Sequence, residues 1–342
     1  MSSGARSGKS GGKRCLVTGG AGFIGSHLVD HLLDRGDEVV VVDNFSTGKR
    51  SNLRGHENDT RLRVIESDAS DAVQGFGSHE RFDQVYHLAA AVGVKRIIEQ
   101  PIESIETNIR ETSAVLHYAA SCAARRETPP AVLIASSSEV YGKGSKSPFS
   151  EEDDCVYGPT TALRWSYACT KAIDEYLALA HHARSGLPVV VARFFNTVGP
   201  RQVGEYGMVL PNFIDAVLAG RSPEVYGDGT QTRCFCDVRD IAPVLPRMIE
   251  SSACHGRVFN LGSDSSISIA DLARLVARTL GSDIQPVLIP YDRAYAPGFE
   301  DLRQRRPDLR RIRGAVGFEP TIDLARTIRD VARTRGWSAS DQ

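Results

Sequence analysis

The 342-residue chain predicts a doubly wound α/β fold: a parallel sheet covered by helices on both faces, joined to a smaller C-terminal lobe. Three observations carry this. Short apolar runs recur through the first half of the chain, each followed by a helical stretch: CLVTG, VVVVD, RLRVIESD, DQVYHLAA, AVLIASSS and VVVARFFN. Unbroken apolarity, without alternation, marks strands buried on both faces. The first run also turns through clustered glycines straight into a helical pattern, as the first βα unit of such folds does. After Asn196 the rhythm is lost in NTVGPRQVGEYG, where glycine and polar residues dominate.

In chain order, CLVTG is the first strand, and a helix follows from about 23 to 35, with Gly36 as its stop. VVVVD is the second strand and ends on Asp43. RLRVIESD, DQVYHLAA, AVLIASSS and VVVARFFN supply strands three to six. Beyond them PNFIDAVLAG reads as a helix and EVYGDGTQTRCF as strand and turn. VFNLG (258–262) returns as a strand, and a last helix spans about 269–280. The arginine-rich DLRQRRPDLRRIR reads as a solvated face. The division expected is a tail over 1–13, a nucleotide-binding domain over 14–195 plus about 235–262, and a substrate lobe over about 196–234 plus 263–335.

Composition excludes several classes. Hydrophobic residues make up 41%, enough for a sizeable core, and the net charge of −1 offers no basic face for nucleic acid. No apolar stretch reaches the ~18 residues of a membrane span. The opening MSSGARSGKSGGKR lacks the apolar segment of a secretory signal and reads as a disordered tail. Cysteines 15, 122, 155, 169, 234, 236 and 254 are scattered. Cys234 and Cys236 have no second pair to complete a zinc site, so reduced thiols and a cytoplasmic location are expected, with no metal. His27 and His31 lie four apart without a third ligand.

LVTGGAGFIGSHL carries the cofactor signal. Gly20, Gly22 and Gly25 fit G-x-G-x-x-G, and Gly19, Gly22 and Gly25 fit G-x-x-G-x-x-G. Such glycines let backbone N–H groups and a helix N-terminus approach a pyrophosphate. Phe23 and Ile24 begin that helix. Asp43 stands where a carboxylate accepts the ribose hydroxyls, and beside it Asn44 and Phe45 bring no charge for a 2′-phosphate. NAD is therefore the cofactor expected. Asp68, at the end of the third strand, is a candidate for the adenine amine or a solvated turn residue. Ala89 and Ala90 close the fourth strand at the same edge.

Tyr167 alone among ten tyrosines has a lysine four residues on, Lys171. On a helix the two share a face. A nearby cation favours phenolate, so the pair suits a base that deprotonates an alcohol during hydride removal. The strand end ASSSE supplies a hydroxyl for the same oxygen, from Ser137 or Ser138, with Ser136 structural.

The set TGGAGFIG, Asp43, HLAA, SSSEVYG, YACTK and RFFNTVGPRQ resembles the extended short-chain dehydrogenase/reductase family of nucleotide-sugar epimerases, dehydratases and decarboxylases, over about 14–335. The resemblance implies a Rossmann-like domain, a nucleotide-sugar-binding lobe, tightly held NAD and oxidation of the sugar at C4. Ser138 stands where the 4,6-dehydratases carry an acidic residue, and Ser-Glu-Val-Tyr-Gly with RWSYACTK is similar to the UDP-glucuronate decarboxylases. Val203 stands where UDP-glucuronate 4-epimerases typically have arginine. The expected reaction is UDP-glucuronate to UDP-xylose; the alternative is a UDP-glucose or UDP-glucuronate 4-epimerase.

The same resemblance places Arg233 at the pyrophosphate, Arg305 near the sugar with Arg306 as its alternative in register, and Asn196 at the diphosphate or sugar. Lys95 either faces the substrate carboxylate or is solvated. Glu139 repels a substrate carboxylate or positions a proton-delivering water. A homodimer through helices near 103–124 and 165–183 is implied as well.

Overall fold

A computed structural model describes residues 12–76, 80–90, 100–124, 128–204, 208–290 and 303–338. In order the elements are β1 (Arg14–Thr18), α1 (Phe23–Asp34), β2 (Glu38–Asp43), β3 (Leu62–Glu66), α2 (Ala69–Gly75), β4 (Gln84–His87), α3 (Pro101–Ala124), β5 (Ala131–Ser137), α4 (Ser166–Ser185) and β6 (Val189–Phe194). They continue with β7 (Thr197–Val198), α5 (Val209–Leu218), β8 (Glu224–Tyr226), β9 (Thr232–Cys234), β10 (Cys236–Asp237), α6 (Val238–Ile241), α7 (Val244–Glu250) and β11 (Arg257–Leu261). The chain ends through β12 (Ser266–Ser268), α8 (Ile269–Thr279), β13 (Val287–Ile289), β14 (Gln304–Arg305), α9 (Arg310–Val316) and α10 (Leu324–Arg333).

Seven strands form one sheet in the order β11-β6-β5-β4-β1-β2-β3, and every neighbouring pair is parallel. The reason lies in the strand sequences. Successive side chains point to opposite faces, and here both faces are apolar. Cys15, Val17, Val39, Val41 and Leu133 pack with Leu28, Leu32 and Leu245 on one side. Leu16, Val40, Val42, Val132 and Ile134 pack with Val115, Leu116 and Ala178 on the other. No polar alternation is possible where both faces are covered, so VVVVD is a single apolar run.

The strand order reverses between β1 and β4, from which the chain winds outward in both directions. The loops after β1, β2, β4, β5 and β6 therefore open at one sheet edge, where ligands of doubly wound folds bind. A separate apolar cluster, including Ile214, Val225, Leu272, Val276, Ile328 and Val331, unites α5, α8 and α10. β11 returns from that region to pair with β6. Among the described residues no helix is long and apolar enough to cross a membrane, and no cluster of three or more His, Cys, Asp or Glu could hold a metal.

The arginine-rich stretch is not uniformly the solvated face expected. Arg310 is largely exposed, but Arg305 is 8% exposed, because β14 pairs with β9 and turns that side chain inward. Lys95 lies outside the described residues.

Candidate active site

A cavity of about 440 Å³ runs along the sheet's C-terminal edge and is lined from both directions of winding. At one end is the glycine loop. Gly19 has φ +71°, and a Cβ there would stand 2.7 Å from the Ala89 nitrogen. A Cβ at Gly25 would stand 2.1 Å from the Gly19 carbonyl oxygen, so α1 can start this close to β1 only with glycine. Gly22 borders the cavity with only the Gly19 carbonyl near its missing Cβ, at 3.1 Å. This is a cradle kept clear for an anion at a helix N-terminus.

Asp43 sits beside it, 7% exposed. It accepts hydrogen bonds from the Ala21 N–H at 2.9 Å and the Phe45 N–H at 2.8 Å. Burial nevertheless raises its pKa, against the pull of these backbone donors. Such a carboxylate gains from hydroxyl donors and disfavours a phosphate. Asn44 donates to Asp68 at 2.6 Å, and both line the cavity with Phe23, Ile24, Ala89 and Ala90. The cradle, the buried carboxylate and the uncharged neighbour together fit NAD.

The other end holds the chemistry. Tyr167 and Lys171, one turn apart on α4, both face the cavity. Lys171 is 2% exposed and donates to the Ala135 carbonyl at 3.0 Å and to Asp174 at 3.0 Å. Burial pushes its pKa down, but Asp174 and Tyr167 outweigh burial and the net shift is upward. The Tyr167 phenol shifts upward: burial raises its pKa, Lys171 lowers it, Glu139 raises it, and a hydrogen bond with Ser137 lowers it. Burial is the largest of these influences, and it outweighs the pull of Lys171 in the protein without a bound dinucleotide.

The three serines part ways. Ser136 donates to Glu175, which pairs with Arg193 at 2.7 Å inside the core, and is structural. Ser137 is the hydroxyl beside Tyr167 and also accepts from the Glu139 N–H at 3.2 Å. Ser138 is 1% exposed, and its hydroxyl accepts from Arg305 at 3.4 Å.

Glu139 is not a backbone-bonded strand terminus. Its two carboxylate oxygens meet two arginines, Arg305 at 2.6 Å and Arg164 at 3.2 Å. Burial would raise its pKa, yet Arg305 and then Arg164 bring it below the ordinary glutamate value. Arg305, not Arg306, is therefore the inward arginine. Asn196 has φ +23°, lines the cavity, and donates to the Cys234 carbonyl at 3.1 Å. Arg233 is not part of this lining. It sits in β9 opposite Arg305 and donates to the Thr232 carbonyl at 2.8 Å.

Two residues were missed from sequence. Asp174 lies three positions after Lys171 and so shares its helical face, a signal that was there to read. Arg164, three before Tyr167, reaches the cavity only because the 3₁₀ turn Leu163–Trp165 delivers it there.

A parallel sheet with a glycine cradle at its switch point and a Tyr-Lys pair facing it defines an NAD-dependent short-chain dehydrogenase/reductase site. The chain belongs to the NAD dependent epimerase/dehydratase family, which it matches over residues 15–262. It is 40% identical over 320 residues to a UDP-N-acetyl-alpha-D-glucosaminuronate decarboxylase of Bacillus cytotoxicus, covering 93% of this chain and 96% of that protein. It is 35% identical to UDP-glucuronic acid decarboxylase 4 of Arabidopsis thaliana, covering 91% of this chain and 66% of that protein's length. Among solved structures, a UDP-N-acetylglucosamine 4-epimerase from Methanobrevibacter ruminantium, in complex with UDP-N-acetylmuramic acid, superposes with a TM-score of 0.83 at 31% identity, covering 97% of this chain and 100% of that chain.

Proposed function

We propose that the protein is an NAD-dependent decarboxylase of UDP-hexuronates, converting UDP-glucuronate to UDP-xylose. The observation that carries this is Glu139, held between Arg305 and Arg164 beside Tyr167. Oxidation and re-reduction of a neutral sugar at C4 give such a cluster nothing to act on.

The residues that hold NAD are Gly19, Gly22 and Gly25 at the pyrophosphate, with Phe23 and Ile24 at the helix start. Asp43 and Asn44 take the ribose side, Asp68 the adenine, and Ala89, Ala90, Tyr167 and Lys171 the nicotinamide end. NAD held there would supply the acceptor for the hydride leaving the sugar C4 and the donor for the closing reduction. Tyr167 takes the C4 hydroxyl proton, with Ser137 bonded to the same oxygen and Lys171 favouring the phenolate. C4 is then a ketone, and the C6 carboxylate is that of a β-keto acid. The C5–C6 bond breaks, CO₂ leaves, and its electron pair becomes an enolate whose charge rests on the C4 oxygen. Donors already in place, the Tyr167 phenol and the Ser137 hydroxyl, stabilise that charge. Arg305, always charged, orders with Ser138 the water that protonates C5. Before substrate binds, Glu139 holds Arg305 beside the site, and it opposes a resting substrate carboxylate. Asn196 serves the diphosphate or sugar, and Arg233 the pyrophosphate.

Mass spectrometry of protein incubated with NAD⁺ and UDP-glucuronate tests the reading. A product lighter by one CO₂ is expected; an isomer of unchanged mass would make the protein a 4-epimerase. The 40% identical relative directs the same assay to UDP-N-acetylglucosaminuronate, whose C4–C6 chemistry is identical. The protein acts in the cytoplasm as a homodimer. Exposed Ile102, Ile173 and Tyr176 on α3 and α4 supply an apolar face for a four-helix contact. A monomer by light scattering would overturn that. Residues 14–195 with 235–262 form the nucleotide-binding domain, and 196–234 with 263–335 the substrate lobe.

A further inference from the structure

We propose that Arg164 is a positioning residue for decarboxylation: it keeps Glu139 charge-paired and in place when Arg305 turns from Glu139 to the substrate. The inference rests on the decarboxylase reading and adds a residue to it.

The charge count comes first. One carboxylate, Glu139, faces two guanidiniums, one on each oxygen. A single arginine would satisfy it. If Arg305 were the only partner, any turn of Arg305 toward substrate would leave a largely buried anion uncompensated, a strongly unfavourable state. The second arginine removes that penalty, so Arg305 is free to change partners.

The two arginines are also held unequally. The Arg164 guanidinium lies over the Trp165 ring, 4.6 Å from its centroid, and its side chain is 9% exposed. Trp165 is itself fixed: it is 3% exposed and packs so closely on Gly158 that a Cβ there would stand 2.3 Å from the indole nitrogen. Arg305 comes from the two-residue strand β14, shares one nitrogen between Glu139 and Ser138, and has a buried Nε without a hydrogen-bond partner among the described residues. A guanidinium with an unused donor, on a residue that lines the cavity, is the one that gains by turning to a substrate oxygen. Arg164 is the fixed clamp and Arg305 the exchanging one.

The clamp reaches the base as well. Glu139 raises the pKa of Tyr167, so the compensation Arg164 provides acts on proton removal at C4. The charged and titratable groups around Glu139 are Arg305 from β14, Arg164 from the 3₁₀ turn before α4, and Tyr167 on α4; Ser138 and Ser137 are the neutral hydroxyls beside it.

The test compares Arg164→Gln, Arg164→Lys, Glu139→Gln and the double variant R164Q/E139Q. CO₂ release and NADH formation are followed from pH 5 to 10 (roughly the range that brackets these groups). Arg164→Gln is expected to lower kcat for CO₂ release about 10²-fold with little change in KM. It should also move the basic-side rise of NADH formation up by about one pH unit. Arg164→Lys restores most of both. In the Glu139→Gln background, removing Arg164 adds no further loss. A large rise in KM for UDP-hexuronate with kcat preserved would mean that Arg164 binds the substrate carboxylate itself, and the proposal falls. An unmoved pH profile, or full additivity of the two substitutions, overturns it too. If Arg164→Gln does not fold, Arg164→Lys against R164Q/E139Q gives the same comparison. Failure of the wild type to release CO₂ sinks the decarboxylase reading alone, because the pH profile of NADH formation still reads the clamp.

Discussion

Replacing Lys171 with methionine removes a buried cation and leaves its carboxylate partner behind. Lys171 and Asp174 have side chains 3% and 0% exposed and lie 3.0 Å apart. Breaking such a pair from one side costs about 3–5 kcal/mol, chiefly for the stranded charge. The lost hydrogen bond to the Ala135 carbonyl adds about 1 kcal/mol, for a total of about 4–6 kcal/mol. Urea unfolding of Lys171→Met should therefore have a midpoint lower by about 1 M or more. Adding Asp174→Asn removes the stranded charge, and K171M/D174N should recover about 3 kcal/mol of the loss. Turnover follows a different rule. Both variants lack the cation beside Tyr167, so both should lose about 10²–10⁴-fold in NADH formation. If the double variant regains turnover, Lys171 acts only as the counter-ion of Asp174, and the Tyr-Lys base is wrongly assigned. If Lys171→Met unfolds at the wild-type urea concentration, the buried-charge reasoning fails.

Other outcomes follow from the same geometry. Glu139→Ser should reduce CO₂ release about 10²-fold or more while NADH formation from the bound sugar persists, whereas a 4-epimerase would tolerate it; product mass and absorbance separate the two. Because burial raises the Tyr167 pKa, the phenol is protonated at neutral pH, so NADH formation should climb with pH in the wild type and be nearly abolished in Tyr167→Phe. Buried His87, between Thr18 and Thr112 at 2.8 and 3.2 Å, has its pKa lowered to about 3 by burial and then by Lys171. The unfolded chain binds this proton near pH 6.5 and the folded one does not. Stability from this group is thus full above that value and falls by about 1.4 kcal/mol per pH unit below it. Urea midpoints for His87→Gln should show that slope flattened between about pH 6 and 4. Gly19→Val should yield protein with little bound NAD, since φ +71° and the 2.7 Å approach to Ala89 leave no room for a side chain.

The parts of this fold that were legible in the sequence are those set by local pattern. Two-faced burial makes strands such as β2, β5 and β6 into runs, while the edge strand β3 stays partly exposed, and the glycines of the first loop are required by contacts with the backbone beside them. Tyr167 and Lys171 could be found because four residues is one helical turn. Glu139 was visible as a residue but not as a clamp, since its partner Arg305 lies on the far side of the chain and is turned inward by pairing with β9. Nothing in DLRQRRPDLRRIR distinguishes that arginine from its solvated neighbours until the pairing is formed. Asp174 was legible as a face-mate of Lys171 three residues on, but the full burial that makes the pair matter is set by packing. Arg233 was placed by resemblance at the ligand; the structure adds only that it lies in β9 opposite Arg305.

β14 supplies Arg305 near the end of the chain, long after the glycine cradle, Asp43, Tyr167 and Lys171 have been laid down. During synthesis the groups that hold a dinucleotide and strip a hydrogen from an alcohol emerge first. Arg305, which meets Glu139 and Ser138, emerges after them. A nascent or truncated chain ending before β14 would lack the means to finish what its earlier part can begin.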